Sequence, residues 1–458
     1  MNARVLVLLG LLIAVPLTAD AQTPPSPFLG SAPPSGPPSP QPIPLSVKDA
    51  ATRALQYNLG LLLQEANATQ AHGARWRALQ DLLPNISGSV NERRTVINLA
   101  VFGFQADPSI IGPFNVFDAR VTASQPVIDL RALNDYKAAA LNEKAETRGV
   151  KSARDLVVLV AVNLYLEAVT ASNRIELARA QLETAEALSR QATDLKTSGL
   201  VANVDVLRAQ VQVQNRRQRS IVAENDFAKA KLQLARAIGL PPGQDFTLTD
   251  KMPFAPLSDV TIEDALARAY DQRADFLAAR DRVSAAEATS RAANAELLPT
   301  LNIDGDYGTI GNTASGSHPT YTVAATVRVP LFEAGRAQTR RAESEALLQR
   351  RRAEFEDVKG QIDIEVRTAF LDVRAAAQQL DAAQTTVTLA NQELEQARDR
   401  FAAGVTGNIE VTQAQESVVA ASDTYLAALY AHNLAKASLA RALGVAETAI
   451  MQYLGGVQ

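Results

Sequence analysis

The sequence predicts a mainly α-helical protein with a transmembrane β-barrel portion, built from two copies of a helix–hairpin–long-helix repeat. Three observations support this prediction. Segments of the first half recur in the same order in the second half. A long uninterrupted helical pattern dominates each half, and short segments that alternate apolar and polar residues precede each long pattern. The duplication matters first, because a feature present in both copies belongs to the common architecture.

Composition excludes several classes of protein before any motif is considered. The chain has 458 residues, a formal net charge of −4 and no cysteine. The acidic balance argues against nucleic acid as the main partner, because phosphate binding needs a basic surface. The lack of cysteine excludes disulfide scaffolds, thiolate metal sites, cysteine nucleophiles and an N-terminal lipoprotein cysteine.

The N-terminus has the pattern of a secretory signal peptide. Arg4 precedes an apolar run that ends in "LTADA", which fits the small-x-small cleavage pattern, so residues 1–21 are expected to be removed. The run is shorter than the roughly 20 residues that span a bilayer, and no later stretch is expected to form a transmembrane helix. Residues 22–44 are rich in proline, serine and glycine and are expected to form an extended, mobile leader.

The duplication divides the rest of the chain into two halves. "LSVKDAATRAL" near the start of the first half returns as "VTIEDALARAY" in the second, and "LARAIGL" near its end returns as "LARALGV". Because the order of the matched segments is kept, each half is expected to form one repeat. The expected boundaries are residues 45–250 for the first repeat, 251–259 for a linker, 260–450 for the second repeat and 451–458 for a C-terminal tail.

Each half contains a pair of alternating segments that predicts a β-hairpin. The apolar residues Val121 and Ala123 alternate with the polar residues Arg120 and Thr122, and the second half has a similar alternation. Strands of about ten residues with one apolar face suit a transmembrane β-barrel, whose outer face meets lipid. Four strands are too few to close a barrel, so several subunits would share one. The four expected strands are residues 85–94, 115–127, 301–310 and 319–331.

The longest patterns in the chain are helical. Residues 130–197 and 335–402 are each followed by a turn and a return helix, over 203–238 and 408–443. A helix as long as 130–197 would extend about 100 Å, and no ordinary globular core needs that length. The first return helix keeps a 3/4 apolar spacing that predicts a coiled-coil seam. The seam residues are Val204, Leu207, Val211, Ile221, Ala228, Leu232 and Ala235.

One helix corner occurs twice, as "TSGLVANVDVLRAQ" (197–210) and "AAGVTGNIEVTQAQ" (402–415). Each copy places an apolar residue after a glycine and an acid further along. Glycine permits the left-handed turn that ends a helix, and an exposed apolar residue beside it offers a docking knob. The acids are Asp205 and Glu410. Asp205 also fits a purely structural role, as an N-cap or first-turn residue that the helix dipole favours.

A set of motifs over residues 45–450 resembles the TolC-type outer-membrane efflux proteins. The set comprises the two-fold repeat, "LLP" before each hairpin, "QPVI" and "VPLF" after it, and "GLVANVDVLRAQ" at the corner. The resemblance implies a homotrimer in which each subunit contributes four strands to a 12-stranded β-barrel, continued by a 12-helix periplasmic α-barrel. It also implies a periplasmic adaptor that contacts the corners and connects the duct to an inner-membrane pump of the RND or ABC type.

By this resemblance, the corners are the periplasmic tips of the tunnel, and acids just inside the tips form its gate. The gate residues would be Asp205, Glu410 and Gln413. Gln413 stands where the family pattern has a second acid, so the ring would carry fewer carboxylates. Thr406 replaces the basic residue of the family's latch, which leaves the latch partners open. The adaptor-contact residues would be Gly199, Leu200, Val201, Gly404, Val405 and Thr406.

No enzyme or cofactor site is expected. The histidines are scattered, without metal-ligand or triad spacing, and no phosphate-binding loop is present. The resemblance therefore implies a passive outer-membrane exit duct, in contact with lipid and with a long periplasmic extension. One alternative stays open, because a soluble periplasmic coiled-coil scaffold with a small sheet would show similar patterns.

Overall fold

The computed structural model describes residues 26–103, 107–199, 201–250, 252, 261–331, 335–403, 405 and 408–455. Its helices are α1 (Val47–Tyr57), α2 (Leu59–Gln80), α3 (Leu130–Thr197), α4 (Asn203–Ala237), α5 (Ile262–Gln272), α6 (Ala274–Ala295), α7 (Arg336–Ala402), α8 (Asn408–Ala442) and α9 (Ala446–Leu454). Its strands are β1 (Ile43–Leu45), β2 (Asn85–Asn98), β3 (Ile110–Ile128), β4 (Phe246–Leu248), β5 (Thr300–Gly311) and β6 (His318–Arg328). The order of two short helices, two long strands, a long helix and a return helix is therefore present twice.

The long helices α3 and α7 organise the packing. They have 68 and 67 residues, so each is about 100 Å long. Glu143 near the start of α3 accepts a hydrogen bond from Arg75 of α2, whereas Arg179 further along α3 bonds Glu224 of α4. The shorter helices α2 and α4 thus cover successive parts of α3. In the second half, α6 and α8 both pack against α7, and α3 joins the two halves through α6 and α8.

The two short helices of each half meet at one buried polar residue. Asn58 ends α1 and starts α2, and its Oδ1 accepts from the Gly60 N–H at 2.9 Å while its Nδ2 donates to the Phe28 carbonyl at 2.7 Å. In the second half Arg273 occupies the junction and donates to Glu365 at 2.6 Å. The helical pattern of residues 46–83 predicts a break near Asn58-Leu59-Gly60, and the structure confirms it. Asparagine caps a helix start well, which explains why the break falls there.

Four long strands form one antiparallel sheet in the order β2-β3-β5-β6, which leaves β2 and β6 as edges. Adjacent rungs of this sheet differ in polarity, because successive side chains point to opposite faces. One rung consists of Gly88, Val121, Tyr307 and Tyr321. The next rung, on the other face, consists of Ser87, Thr122, Asp306 and Thr322. One face is therefore largely apolar and the other polar, as the alternation predicts.

The strand ends differ from those that the sequence predicts. β2 and β3 extend the first hairpin outward to Asn98 and Ile110, beyond the expected strands. β6 ends at Arg328 rather than at residue 331. Pro330 follows closely, and proline has no N–H to donate to a sheet ladder, which explains the earlier end.

The predicted seam of α4 lies on the wrong side of the helix to hold the subunit together. Its large residues are exposed, Val211 by 58% and Leu232 by 71%. The face of α4 that packs inward has its own 3/4 spacing. Its buried members are Val206, Ala209, Val213, Arg216, Ser220, Ala230, Leu234 and Ala237. α4 therefore carries two seams, one satisfied within the subunit and one left uncovered.

The segment before β1 is bound to the helical body, which corrects the expectation of a free leader. β1 pairs in parallel with β4, and the Ser39 N–H donates to Oε1 of Gln244 at 2.5 Å. Phe28 packs against the main hydrophobic core. The described part of this segment begins with a short 3-10 turn, Pro27–Leu29, and a few specific contacts hold it despite its proline-rich composition. The part of the leader before residue 26 lies outside the described residues.

One expectation about membrane helices also needs correction. Within the described part of the chain, α3 contains a window that is long and apolar enough to cross a membrane. Most of that window is buried inside the protein, where Val157, Val162 and Leu166 belong to the main core. The hydropathy of α3 is therefore explained by packing within the subunit.

Replacing Gly60 with alanine tests how the N-terminal segment is held. A Cβ atom at residue 60 would lie 2.5 Å from the Phe28 ring, so G60A is expected to displace Phe28 and expose residues 26–45 to protease. Gly73, on the same helix, has nothing within 4 Å of such a Cβ, and G73A is the matched control. Limited proteolysis read by mass spectrometry measures the effect, and equal cleavage of both variants would contradict this packing.

Candidate functional site

The first corner of the candidate site joins α3 to α4 through a left-handed glycine. Gly199 has φ of +74° and its N–H donates to the Lys196 carbonyl at 2.9 Å. Nothing lies within 4 Å of a Cβ built at this position, so backbone conformation rather than space requires glycine here. Lys196 also reaches across the turn, where its Nζ donates to Oδ1 of Asn203 at 2.6 Å. Val201 is half-buried, and Leu200 lies outside the described residues.

Asp205 lies in the first turn of α4. Ala202 holds the N-cap position and has no side chain that could cap the helix. The negative charge of Asp205 therefore stabilises the positive end of the helix dipole. The Asp205 carboxylate also pairs with Arg208 of the same helix at 3.4 Å. The structural role that the sequence analysis left open is therefore present, and it does not exclude a role in a gate.

The second corner joins α7 to α8 and presents an exposed apolar side chain. The Val405 N–H donates to the Arg400 carbonyl at 3.0 Å, and 70% of Val405 is exposed. This exposure fits the docking knob that the sequence predicts at that position. Gly404 and Thr406 lie outside the described residues.

Glu410 lies in the first turn of α8 and pairs with Arg400 at the end of α7, with 3.5 Å between Oε2 and Nη1. Both side chains are more than one-third exposed, so water screens the pair and its contribution to stability is small. Gln413, one turn further, is exposed. Among the described residues, no hydrogen bond or ion pair joins Asp205 to Glu410 or to Gln413.

An apolar contact holds the two corners side by side. Leu188 of α3 packs against the buried residues Ala397, Val411 and Ala414 of the second corner. A second cluster, of Ala192, Val206 and Ala209, closes the first corner. Small side chains dominate both clusters, which lets the helices approach closely. The corners are thus joined by packing rather than by the acids that the sequence singles out.

Several ion pairs join the two halves, among them Arg148–Asp281 and Arg154–Glu447, and one of them joins the return helices α4 and α8. Arg216 of α4 is only 4% exposed, and its guanidinium donates to Glu416 of α8. Arg219 approaches the same carboxylate at 3.7 Å. One Nη of Arg216 has no hydrogen-bond partner, so this buried cation is only partly satisfied. A buried charge that depends on a single carboxylate from the other half makes the link sensitive to any separation of α4 and α8.

A groove of about 610 Å³ runs beside this link, between α3, α4 and α8. Its polar lining includes Arg174, Gln181, Arg219, Asp226, Glu416 and Asp423. Sequence analysis missed the whole region. The only available signal was Arg216 itself, a charge at a position where the inward seam of α4 otherwise carries small or apolar residues.

No metal centre emerges from the described part of the chain, where no three His, Cys, Asp or Glu residues are grouped as metal ligands. His72 instead bonds Glu143 at 2.7 Å and accepts from the Trp76 indole at 2.9 Å. The bond from His72, followed by that from Arg75, lowers the pKa of the Glu143 carboxyl. This arrangement is that of a surface network and not of a triad.

Replacing Gly199 with alanine tests the first corner. A side chain in the left-handed region costs roughly 1–2 kcal/mol, so G199A is expected to raise amide exchange of residues 197–203 about ten-fold and leave the rest of α3 unchanged. S198A is the control, because Ser198 has φ of −83° and makes only an exposed hydrogen bond. Hydrogen exchange by mass spectrometry measures both. Identical exchange in the two variants would show that the turn does not depend on glycine.

Comparison with known proteins adds independent findings. Residues 265–445 match the outer membrane efflux protein family. The pyoverdine export outer membrane protein OpmQ of Pseudomonas aeruginosa is 26% identical over 394 residues, which cover 84% of this chain and 77% of OpmQ. The alkaline protease secretion protein AprF of the same organism is 22% identical, over 86% of this chain and 82% of AprF.

The fold has solved counterparts. The crystal structure of the outer membrane protein VceC from Vibrio cholerae superposes with a TM-score of 0.75 at 18% sequence identity. The superposition covers 87% of this chain and 96% of VceC. At this identity the similarity shows a shared fold and no more, but it extends over almost the entire solved protein.

Proposed function

We propose that the chain is the passive exit duct of an efflux or secretion assembly, because residues 265–445 match the outer membrane efflux protein family and the similar proteins OpmQ and AprF are named for export and secretion. The sheet carries this proposal. One of its faces is apolar and exposed and the other is polar. β3 ends two residues before α3, and α7 is the next helix after β6; each of these helices is about 100 Å long. A lipid-facing exterior, a wet interior and a long periplasmic extension follow from that arrangement.

Closure of the barrel requires further subunits, and a homotrimer suits the surfaces left open. Three copies of the four-stranded sheet would pair β2 of one copy with β6 of the next and give twelve strands. The uncovered seam of α4 would then meet the next subunit, as would the exposed residues Ile364, Leu371 and Leu389 of α7. Ile364 and Leu371 are one heptad apart, and Leu389 follows after about five helical turns, so the three residues lie near one face of α7.

The duct would be gated at the periplasmic end. Asp205 and Glu410 lie in the first turns of the two return helices, with Gln413 one turn inside, and three copies would place them around the entrance. The Arg216–Glu416 link joins the two helical hairpins of one subunit, and its loss would let them move apart. Adaptor binding that favours the separated arrangement would open the duct by shifting this equilibrium.

The tips would receive the adaptor. Gly199, Leu200 and Val201 form the first contact turn, and the second consists of Gly404, Val405 and Thr406. The exposed Val405 supports this assignment, while the roles of Leu200, Gly404 and Thr406 rest on the family resemblance. An inner-membrane pump of the RND or ABC type would supply the energy. The relatives' names refer to pyoverdine and to alkaline protease, so the substrate class stays open.

A charge in the uncovered seam of α4 is expected to prevent assembly. Val211→Asp places a carboxylate where the seam would be buried between subunits, and burial of an unpaired charge opposes association. The heat-sensitive trimer band on a denaturing gel is expected to disappear. Gln210→Asp adds the same charge beside the seam and is expected to keep the band. Trimers of equal stability in both variants would refute the seam's role.

Two glutamates are expected to affect conduction in different ways. Glu416→Gln removes the carboxylate that holds Arg216 and is expected to enlarge the single-channel conductance, because the hairpins separate more easily. Glu410→Ala is expected to weaken block by divalent cations added on the periplasmic side and to leave the conductance nearly unchanged. Glu395→Gln, an exposed site on α7, is the charge-matched control. If E416Q and E395Q conduct alike, the link is not part of the gate.

Planar-bilayer recording of the purified protein tests the function itself. A duct that is nearly closed at its periplasmic end is expected to insert and give a small, cation-preferring conductance. Folded protein that never inserts would favour the soluble periplasmic scaffold, in which the alternating strands form an ordinary sheet.

A further inference from the structure

The polar face of the sheet carries a built cluster of charges at mid-strand. Arg120 of β3 donates to Asp118 of its own strand at 2.8 Å and to Asp306 of β5 at 2.5 Å. Two residues closer to the start of β5, and so on the same face, Asp304 accepts from the Ser124 hydroxyl at 2.6 Å. All of these side chains are at least partly buried.

A glycine makes room for this arrangement. Gly308 stands directly opposite Arg120 in the register of β3 and β5. A Cβ atom at residue 308 would lie 2.3 Å from the Arg120 Cβ and 2.5 Å from the Ala119 carbonyl oxygen. No side chain is therefore tolerated at this point, and the Arg120 side chain packs close against the strand backbone beside its partner Asp306.

The cluster has an excess of negative charge. Arg120 offsets one of the three carboxylates of Asp118, Asp304 and Asp306, so two negative charges remain per subunit. Among the residues that the structure describes, Asp304 has a hydroxyl partner but no cation. No neighbouring cation in the described part of the chain therefore offsets the Asp304 carboxylate on the polar face.

Other cations on this face are distant from Asp304 and Asp306, although Arg93 is only two residues, about 7 Å, along the strands from the level of Asp118. By strand register, Arg93 is level with Val116 and Arg328 with Thr300. At 3.4 Å per residue, Arg93 is about 20 Å along the strands from Asp306, and Arg328 is about 14 Å from Asp304. Both separations exceed the screening length of about 8 Å at physiological ionic strength. The polar face therefore has a negative middle between two positive rims.

We propose that Asp304 and Asp306 set the charge selectivity of the pore within the β portion, so that cations and cationic substrates pass in preference to anions. This inference rests on the proposed function, because only a closed assembly turns the polar face into a pore wall. It is distinct from the periplasmic gate, because the selective residues lie on the strands, a helix length away from Asp205 and Glu410.

Reversal potentials in a potassium chloride gradient test the proposal. Asp304→Asn removes one of the two excess charges per subunit and is expected to lower the cation-over-anion permeability ratio about two-fold. Asp306→Asn removes the same charge two residues along β5 and is expected to lower the permeability ratio by a similar factor. Two independent variants keep the test valid if one of them fails to form trimers.

Glu92→Gln is the matched control. Glu92 lies opposite Phe117, on the apolar face of the sheet, so the variant loses the same charge outside the pore and is expected to keep the wild-type ratio. A conducting protein in which D304N and D306N match E92Q would overturn this inference alone. Wild-type protein that does not conduct would overturn the proposed function as well.

Discussion

A four-stranded sheet with two open edges and one exposed apolar face is the constraint on which the rest of the structure depends. The edges β2 and β6 carry unpaired backbone groups, and no such group is stable in lipid without a partner. The apolar rung that includes Val121, Tyr307 and Tyr321 needs lipid or another surface. Both needs are met together when copies of the chain close one barrel in a membrane. The uncovered apolar seam of α4 likewise needs a partner surface from another copy of the chain.

The helical part combines fixed and adjustable contacts. Near the corners, Leu188, Val411 and Ala414 hold the two hairpins through close apolar packing. Further along, Arg216 and Glu416 join the same hairpins through charge. Apolar packing is non-directional, whereas a partly satisfied buried cation responds to separation and to loss of its partner. This difference fits the proposed gate, in which α4 and α8 separate at Arg216 and Glu416 while the packing at the corners is kept.

Local periodicity made much of this fold predictable from sequence. The four strands and two long helices follow from alternation and 3/4 spacing, and the break at Asn58 follows from its capping chemistry. Long-range geometry was less accessible. The seam pattern of α4 did not reveal which of its two faces packs inward, and no local signal pairs Arg216 with a glutamate 200 residues away. The proline-rich composition predicted an unattached leader. Composition gives no sign of a specific contact such as that of the Phe28 ring with Gly60 of α2, which depends on two individual residues.

Edge-to-edge pairing of the sheet is the central claim, and disulfide crosslinking measures it most directly. The chain has no cysteine, so one can be placed at Ser89 of β2 and a second in turn at Thr320, Thr322, Ala324 and Thr326 of β6. All five positions lie on the polar face, and a disulfide forms only where two Cα atoms approach within about 7 Å. The account predicts that at least one pairing yields a covalent ladder ending at three chains in outer membranes. Chains that stay monomeric for every pairing, with both cysteines reactive, would contradict it.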